Sequence, residues 1–289
     1  RLRPEWADVT PIPEFEGPTP IAPIDYSETF AEVMDYFRAI LKSEEKSERA
    51  FELTAEVIEV NPSFYTAWQY RLLLFRALNK PVLDELRFVS EVARKHPKNY
   101  QLWYYRREIL SLLEQPREEL DFIESVLAID EKNVHAWCYR KWVVEKFSLW
   151  HEELQYVSEL ISNDPRNNSA WNQRYNVIKA LGKLQDASGL ADEVEFVMGQ
   201  INSLSNNESP WNYLRGLAKL AQFPDELAES VISQARTFTN CSYALAFLLY
   251  WYENHNSLPQ AKEAALQLRV LDPVREKYWT YRAAKLEIS

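Results

Sequence analysis

The sequence predicts an all-α protein, a right-handed α-solenoid (a crescent) of stacked helical hairpins, and three observations carry that expectation. Tryptophans stand at 68, 103, 137, 171, 211 and 279, with gaps of 35, 34, 34, 40 and 68 residues. A period near 34 is the length of one helix–turn–helix unit, which buries its apolar face only by stacking on neighbours. In five of the six copies an arginine follows three residues later, at Arg71, Arg106, Arg140, Arg174 and Arg282, and residues three apart share a helix face. Finally, only five glycines occur among 289 residues, too few for a many-turned β protein.

Residues 1–26 come first and are proline-rich. Pro4, Pro11, Pro13, Pro18, Pro20 and Pro23 fix φ and remove backbone donors, so an extended arm is expected. Two readings stay open for it: a flexible tail, or an arm pinned by Trp6 and Phe15. From Ser27 to the end a helical-hairpin domain, 27–289, is expected. Ser27 reads as an N-cap, and Phe30, Val33, Met34, Phe37, Ile40 and Leu41 follow at three- and four-residue steps. A second helix over roughly 45–60 carries Phe51, Leu53, Val57 and Ile58 and ends at Asn61-Pro62.

The repeat then begins. A breaker or cap precedes most tryptophans: Asn61-Pro62, His96-Pro97, Asp130, Asp164-Pro165 and Asp272-Pro273. Each copy supplies a second helix, such as 118–129 after Pro116. The last gap is twice 34, which places a degenerate copy near Leu245. The six-residue excess between Trp171 and Trp211 is expected to lengthen the helix or loop around 188–205. The Trp and Arg of each copy read as structural, the indole between hairpins and the guanidinium on a carboxylate or free carbonyl of the next unit. Asn133, Asn167 and Asn207, four before their tryptophans, read as caps; Asn172 and Asn212, one after, also read as structural.

Composition excludes several function classes. The formal net charge of −10 supplies no basic footprint for nucleic acid. Two cysteines, Cys138 and Cys241, build no disulfide framework, and four scattered histidines make no zinc cluster. A reducing, cytoplasmic setting follows as the default. No apolar run approaches the ~20 residues of a membrane helix; Ala244–Trp251 reads as a buried helix face. No signal peptide is visible, although the chain opens on Arg1. A tetratricopeptide array shares the period but places glycine four residues after its tryptophan. Here those positions hold Leu72, Arg107, Lys141, Tyr175, Arg215 and Ala283, so the ordinary tetratricopeptide pattern fails.

Candidate chemistry concentrates in one copy, His96–Arg106. Lys98, placed in the first turn of a helix, opposes the helix dipole unless an anion such as phosphate compensates. Lys132 and Arg166 fill equivalent positions, so a basic residue there is also a habit of the repeat. Gln101 stands two before Trp103, where other copies have Thr66, His135, Ser169, Ser209 and Lys277. A neutral amide there suits a carboxylate ligand or simply a solvated helix start. Tyr65 and Tyr100, three before their tryptophans, line a groove or cap the preceding hairpin. His135 is a further donor or a structural histidine.

Several blocks resemble the protein prenyltransferase α subunits, over nearly the whole chain. They include Pro4-Glu5-Trp6-Ala7-Asp8, Asp35-Tyr36-Phe37-Arg38-Ala39, Ser47-Glu48-Arg49-Ala50-Phe51, Asn167 to Tyr175 and Asn207 to Leu214. Within that family they are most similar to the subunit shared by farnesyltransferase and type I geranylgeranyltransferase. The Rab-type α subunit is the more distant alternative, and a non-catalytic tetratricopeptide-like adaptor is the alternative outside the enzyme class. The resemblance implies an obligate heterodimer with a β subunit that holds the catalytic zinc and the isoprenoid pocket, with magnesium assisting farnesyl transfer. It implies transfer from farnesyl or geranylgeranyl diphosphate to the cysteine of C-terminal Cys-a-a-X sequences, as in Ras- and Rho-type GTPases. It also implies that Lys98, in the block Pro97 to Gln101, contacts the diphosphate, with Tyr100 beside it as a second catalytic candidate. Gln101 would bond the peptide's terminal carboxylate, and Tyr65 and His135 would complete the substrate site. Val134 stands where the family often has tyrosine, so any hydroxyl contact there is missing.

Overall fold

The computed structural model describes residues 4–14, 17, 24–116 and 118–286, and all regular structure among them is helical. The chain divides into two compact units between Phe147 and Ser148. The first contains α1 (Glu28–Ser43), α2 (Glu48–Val60), α3 (Tyr65–Ala77), α4 (Val82–Lys95), α5 (Tyr100–Leu110), α6 (Glu119–Leu127) and α7 (Val134–Phe147). The Trp-bearing helices α3, α5 and α7 pack side by side as one layer, and α4 packs against α6 in a second. The second unit contains α8 (Trp150–Asn163), α9 (Asn168–Ala180), α10 (Ala187–Ser203), α11 (Glu208–Leu220), α12 (Asp225–Thr237), α13 (Ser242–Asn254), α14 (Leu258–Leu271) and α15 (Glu276–Lys285). There α9, α11 and α13 are the adjacent row. No helix of the described residues is long and apolar enough to cross a membrane.

Helix starts follow the expected capping chemistry. Ser27 Oγ accepts from the Phe30 N–H at 3.2 Å, and Val33, Met34, Phe37 and Ile40 are buried below it. The degenerate copy is α13, with Leu245 at the tryptophan position. The excess before Trp211 goes into α10, 17 residues long, and a 3₁₀ turn at Lys183–Gln185.

In three joints the tryptophan of one copy and the asparagine of the next meet on one carbonyl. Trp68, Trp103 and Trp171 Nε1 donate to the carbonyls of Pro62, Pro97 and Pro165, six residues back, at 2.8, 2.8 and 2.9 Å. The asparagine of the next copy donates to the same oxygen: Asn99 to Pro62, Asn133 to Pro97 at 3.0 Å, and Asn207 to Pro165 at 2.5 Å. Asn133 and Asn207 also cap, as expected, and so does Asn99, which was not expected to; Asn133 Oδ1 accepts from the His135 and Ala136 N–H groups. The cap therefore has a second role, because one amide offers an acceptor to its own helix and a donor to the preceding hairpin. In α13, Cys241 substitutes, donating from Sγ to the Ser205 carbonyl at 3.1 Å.

The arginines lie in buried networks. Arg71 makes a bidentate pair with Glu85 at 2.6 and 2.9 Å and bonds the Phe51 carbonyl and Thr54 Oγ1. Arg106 does the same with Glu119, the Leu86 carbonyl and Ser90, and Arg174 with Glu193 and Ser158. Each guanidinium also lies over a phenylalanine, Phe88, Phe122 or Phe196, within 3.9 Å of the ring centroid. The carboxylate thus comes from the helix that follows in the same hairpin, and the tie to the next copy runs through tyrosine. Tyr105 donates to Glu85 at 2.8 Å, and Tyr213 donates to Glu193 at 2.5 Å. Burial pushes both phenols far up, which keeps them as donors. Arg282 departs from the pattern and turns to Glu253 and to Tyr278.

The arm corrects one expectation and decides between the two readings for the residues described. Pro4–Trp6 forms a 3₁₀ turn where extended chain was expected, since proline at its first position already has a helical φ. Trp6 is only 4% exposed and packs edge-on against Tyr36. Arg49 holds Asp8 through two bonds of 2.6 and 2.9 Å and also reaches the Glu5 carbonyl. Further on, the Ile12 N–H meets the Asp35 carbonyl and Arg38 Nε donates to the Ile12 carbonyl at 2.7 Å. The arm is pinned over 4–14. Phe15, Pro18, Pro20 and Pro23 lie outside the described residues.

Hydrogen bonds from Arg49 hold the Asp8 and Glu45 carboxyls below their usual range. A depressed carboxyl stabilises the docked arm above its unfolded pKa, and that contribution is lost as pH falls through the lower folded value. Arg49→Ala at neutral pH is therefore expected to lower the amide protection factors over 4–14 by about tenfold or more, and acidification of the wild type below about pH 4 should lower them likewise when exchange is referred to the intrinsic rate at each pH. Exchange at the wild-type rate in Arg49→Ala would show that the arm is held by other means.

Candidate functional site

Tyr65 and Tyr100 are the first residues of α3 and α5, in the same register three before their tryptophans. A residue at that position points off the row of packed helices, and both are 66% exposed. Because α3 and α5 are neighbours, their starts enclose a cavity of about 430 Å³. Tyr65, Tyr100 and Tyr104 form its aromatic walls, Trp68 and Leu72 close it, and Gln69 and Gln101 are its amides. A larger hollow of about 710 Å³, lined by Leu41, Thr66, Leu73 and Arg76 among others, shares Gln69 and Leu72 with it. Three of the five sequence candidates, Tyr65, Tyr100 and Gln101, are therefore brought together.

Gln101 is held by its backbone and one side-chain bond. Its N–H donates to the Asn99 Oδ1 cap at 3.0 Å, and its Nε2 donates to the Ser63 carbonyl at 3.3 Å. That leaves the amide with unused capacity facing the cavity.

Lys98 and His135 are not part of this lining. Lys98 was expected in the first turn of a helix; Asn99 takes the cap, so Lys98 sits on the turn before it. The dipole argument weakens accordingly, since the residue lies outside the helix. Its ammonium is 3.2 Å from Asp130 Oδ2, with the lysine side chain 75% exposed. His135 is the second residue of α7, in the register of Gln101, and is half-buried. Val134 before it is 62% exposed and presents no hydroxyl on that face.

Gln69, Tyr104 and Asp130 escaped the reading of the sequence. The first two stand one after a tryptophan, and that position is solvent-facing in every copy from 69 to 212: Gln69, Tyr104, Cys138, Asn172 and Asn212. Asn212 accepts from Arg215 of its own helix at 3.0 Å, in keeping with a structural role. Among the described residues no group of three or more His, Cys, Asp or Glu side chains could hold a metal ion. This chain's described residues thus do not fit a zinc site of their own.

Comparison with known proteins bears on what this arrangement does. Residues 47–78, 82–113, 116–147 and 150–181 each match the protein prenyltransferase alpha subunit repeat. The chain is 41% identical to the protein farnesyltransferase/geranylgeranyltransferase type-1 subunit alpha of Solanum lycopersicum, over 99% of this chain and 90% of that protein. Its structure superposes on a chain of Candida albicans protein geranylgeranyltransferase-I, solved in complex with GGPP, with a TM-score of 0.88. That match has 31% identity and covers 96% of this chain and 97% of the other. The geranylgeranyl transferase type-2 subunit alpha 1 of Arabidopsis thaliana matches 22% of this chain and 11% of its own length.

Proposed function

Because the chain belongs to the protein prenyltransferase α subunit family, we propose that it serves as the α subunit shared by protein farnesyltransferase and geranylgeranyltransferase type I. In that role it works as a heterodimer with a β subunit and transfers an isoprenoid from its diphosphate to the cysteine thiol of a Cys-a-a-X terminus. The observation that carries this reading is the cavity between α3 and α5, where two tyrosines and Gln101 converge on one face. The short match to the type-2 subunit leaves the Rab-type alternative without comparable support.

The reaction forms a sulfur–carbon bond while the carbon–oxygen bond to diphosphate breaks, and the electron pair leaves with the diphosphate. Donors aimed at charge that develops in the transition state contribute most to such a step. Lys98 supplies a cation on an exposed turn, beside Asp130 and accessible to a phosphate oxygen. Tyr100 adds a phenolic donor at the cavity edge, and His135 a ring nitrogen at the start of the next Trp-bearing helix. Gln101 exchanges its single bond to Ser63 for the terminal carboxylate of the peptide. A neutral amide reads that carboxylate without reading the variable side chain next to it. Tyr65 lines the path beside it. Zinc, held by the β subunit in this reading, would lower the pKa of the substrate thiol, with magnesium aiding farnesyl transfer. The acceptors are proteins of the Ras and Rho type, the site of action is cytoplasmic, and both isoprenoids are open to this chain because their pocket belongs to the β subunit.

In the purified heterodimer Lys98→Ala should slow single-turnover transfer by roughly ten- to hundredfold, the loss of one charge-assisted bond of ~1.5–3 kcal/mol. Heterodimer formation should be unchanged, since Lys98 is a solvent-exposed turn residue. Wild-type turnover in this variant would remove Lys98 from the mechanism.

A further inference from the structure

Lysine is a poor aiming device. Its stem has four rotatable bonds, and the ammonium is a compact charge that any anion or water satisfies. Lys98 is 75% exposed, so neither packing nor the helix restrains it. What it does have is Asp130, 31% exposed and 3.2 Å away on the turn that precedes α7.

The Asp130 carboxylate is itself fixed. Its Oδ1 accepts from the Lys132 backbone N–H at 3.2 Å, closing a side-chain turn, which leaves Oδ2 directed at Lys98. Asp164 has the same place in the following copy and accepts from the Arg166 N–H at 2.9 Å. The turn bond therefore belongs to the repeat, whereas the second oxygen's use on a candidate catalytic lysine belongs to this site. Between Lys98 and Asp130 runs the tie already described, Asn133 Nδ2 on the Pro97 carbonyl, which fixes the two turns against each other.

We propose that Asp130 is a positioning residue for Lys98, restricting the ammonium to one side of its turn so that its remaining donors face the diphosphate. The inference rests on the assignment of Lys98 above. An ammonium has three donors, and an ion pair with Asp130 on one side leaves at least two of them for phosphate oxygens. The cost of ordering the lysine stem is then met before substrate arrives.

Asp130→Asn separates this role from the turn, because an amide oxygen still accepts from the Lys132 N–H while the charge is gone. In the heterodimer it should lower the single-turnover rate by roughly three- to tenfold. Affinity for the isoprenoid diphosphate should change by less than about twofold, and the melting temperature should not change. In a Lys98→Ala background the same substitution should have no further effect, since nothing remains to be positioned. Asp164→Asn alters the same turn in a copy whose equivalent lysine, Lys132, pairs with Glu131 at 3.8 Å, and it should transfer at the wild-type rate. A wild-type rate in Asp130→Asn would overturn the proposal, as would an equal fold loss with and without Lys98, or an equal loss in Asp164→Asn. Should Lys98→Ala itself leave the rate unchanged, the assignment of Lys98 fails and this inference fails with it; the other outcomes leave that assignment standing.

Discussion

Glu85→Ala should destabilise the protein by about 3–5 kcal/mol, the loss expected when one member of a buried ion pair is removed. Glu85 and Arg71 are 3% and 4% exposed and bidentate. Truncation would leave the guanidinium with only the Phe51 carbonyl and Thr54, and would strip Tyr105 of the acceptor at 2.8 Å. Three successive helices, α2, α3 and α4, meet on that arginine, and α5 joins through the tyrosine, so the damage should spread beyond one hairpin. Glu85→Gln keeps an acceptor for Tyr105 and should lose less. Replacing both partners, as Arg71→Met with Glu85→Leu, should recover much of the loss, because two desolvated charges disappear together. Urea unfolding of the heterodimer measures all three. A loss under about 1 kcal/mol for Glu85→Ala would mean that water reaches Arg71.

Trp103→Ala should cost a similar ~3–5 kcal/mol, through the cavity left by a large buried aromatic. Its indole packs against Phe122 and Tyr139, and Nε1 holds the Pro97 carbonyl at 2.8 Å. Trp103→Phe should be milder, since the ring is partly retained and Pro97 still has Asn133 as a donor. The turn at 97–99 also carries Lys98, so Trp103→Ala should reduce transfer rate in whatever heterodimer still folds. Thermal unfolding beside single-turnover kinetics separates the two effects. A stable variant with full activity would mean that the turn is set without the indole.

What the sequence made legible was what repeats locally. The tryptophan period, the arginine three residues on, the Ser27 cap and the degenerate copy at Leu245 each follow from spacing within one or two helices. The glutamates were hidden for the complementary reason. Glu85, Glu119 and Glu193 follow their arginines by 14, 13 and 19 residues, because turn length and the longer α10 shift them. No fixed register marks them. At the site, Tyr65, Tyr100 and Gln101 were recognisable one by one, but their sharing a cavity depends on α3 lying beside α5. Lys98 was misplaced by one feature, the preference of Asn99 for the cap. Asp130 looked like a helix breaker, and its contact with Lys98 spans 32 residues.

The shared carbonyl before each tryptophan helix also bears on how such a chain tolerates change in length. Asn133 reaches back 36 residues to Pro97, whereas Asn207 reaches back 42 to Pro165, and both bonds are made. The excess residues are taken up in α10 and the 3₁₀ turn before it, away from the joint. Each joint thus acts as a ruler whose marks are a carbonyl and an amide, and the pitch from one hairpin to the next is read from it rather than from the number of residues between. Insertions in the second helices should lengthen those helices without altering the separation of side chains such as Tyr65 and Tyr100. A single residue added between Asn99 and Trp103 would shift a whole register.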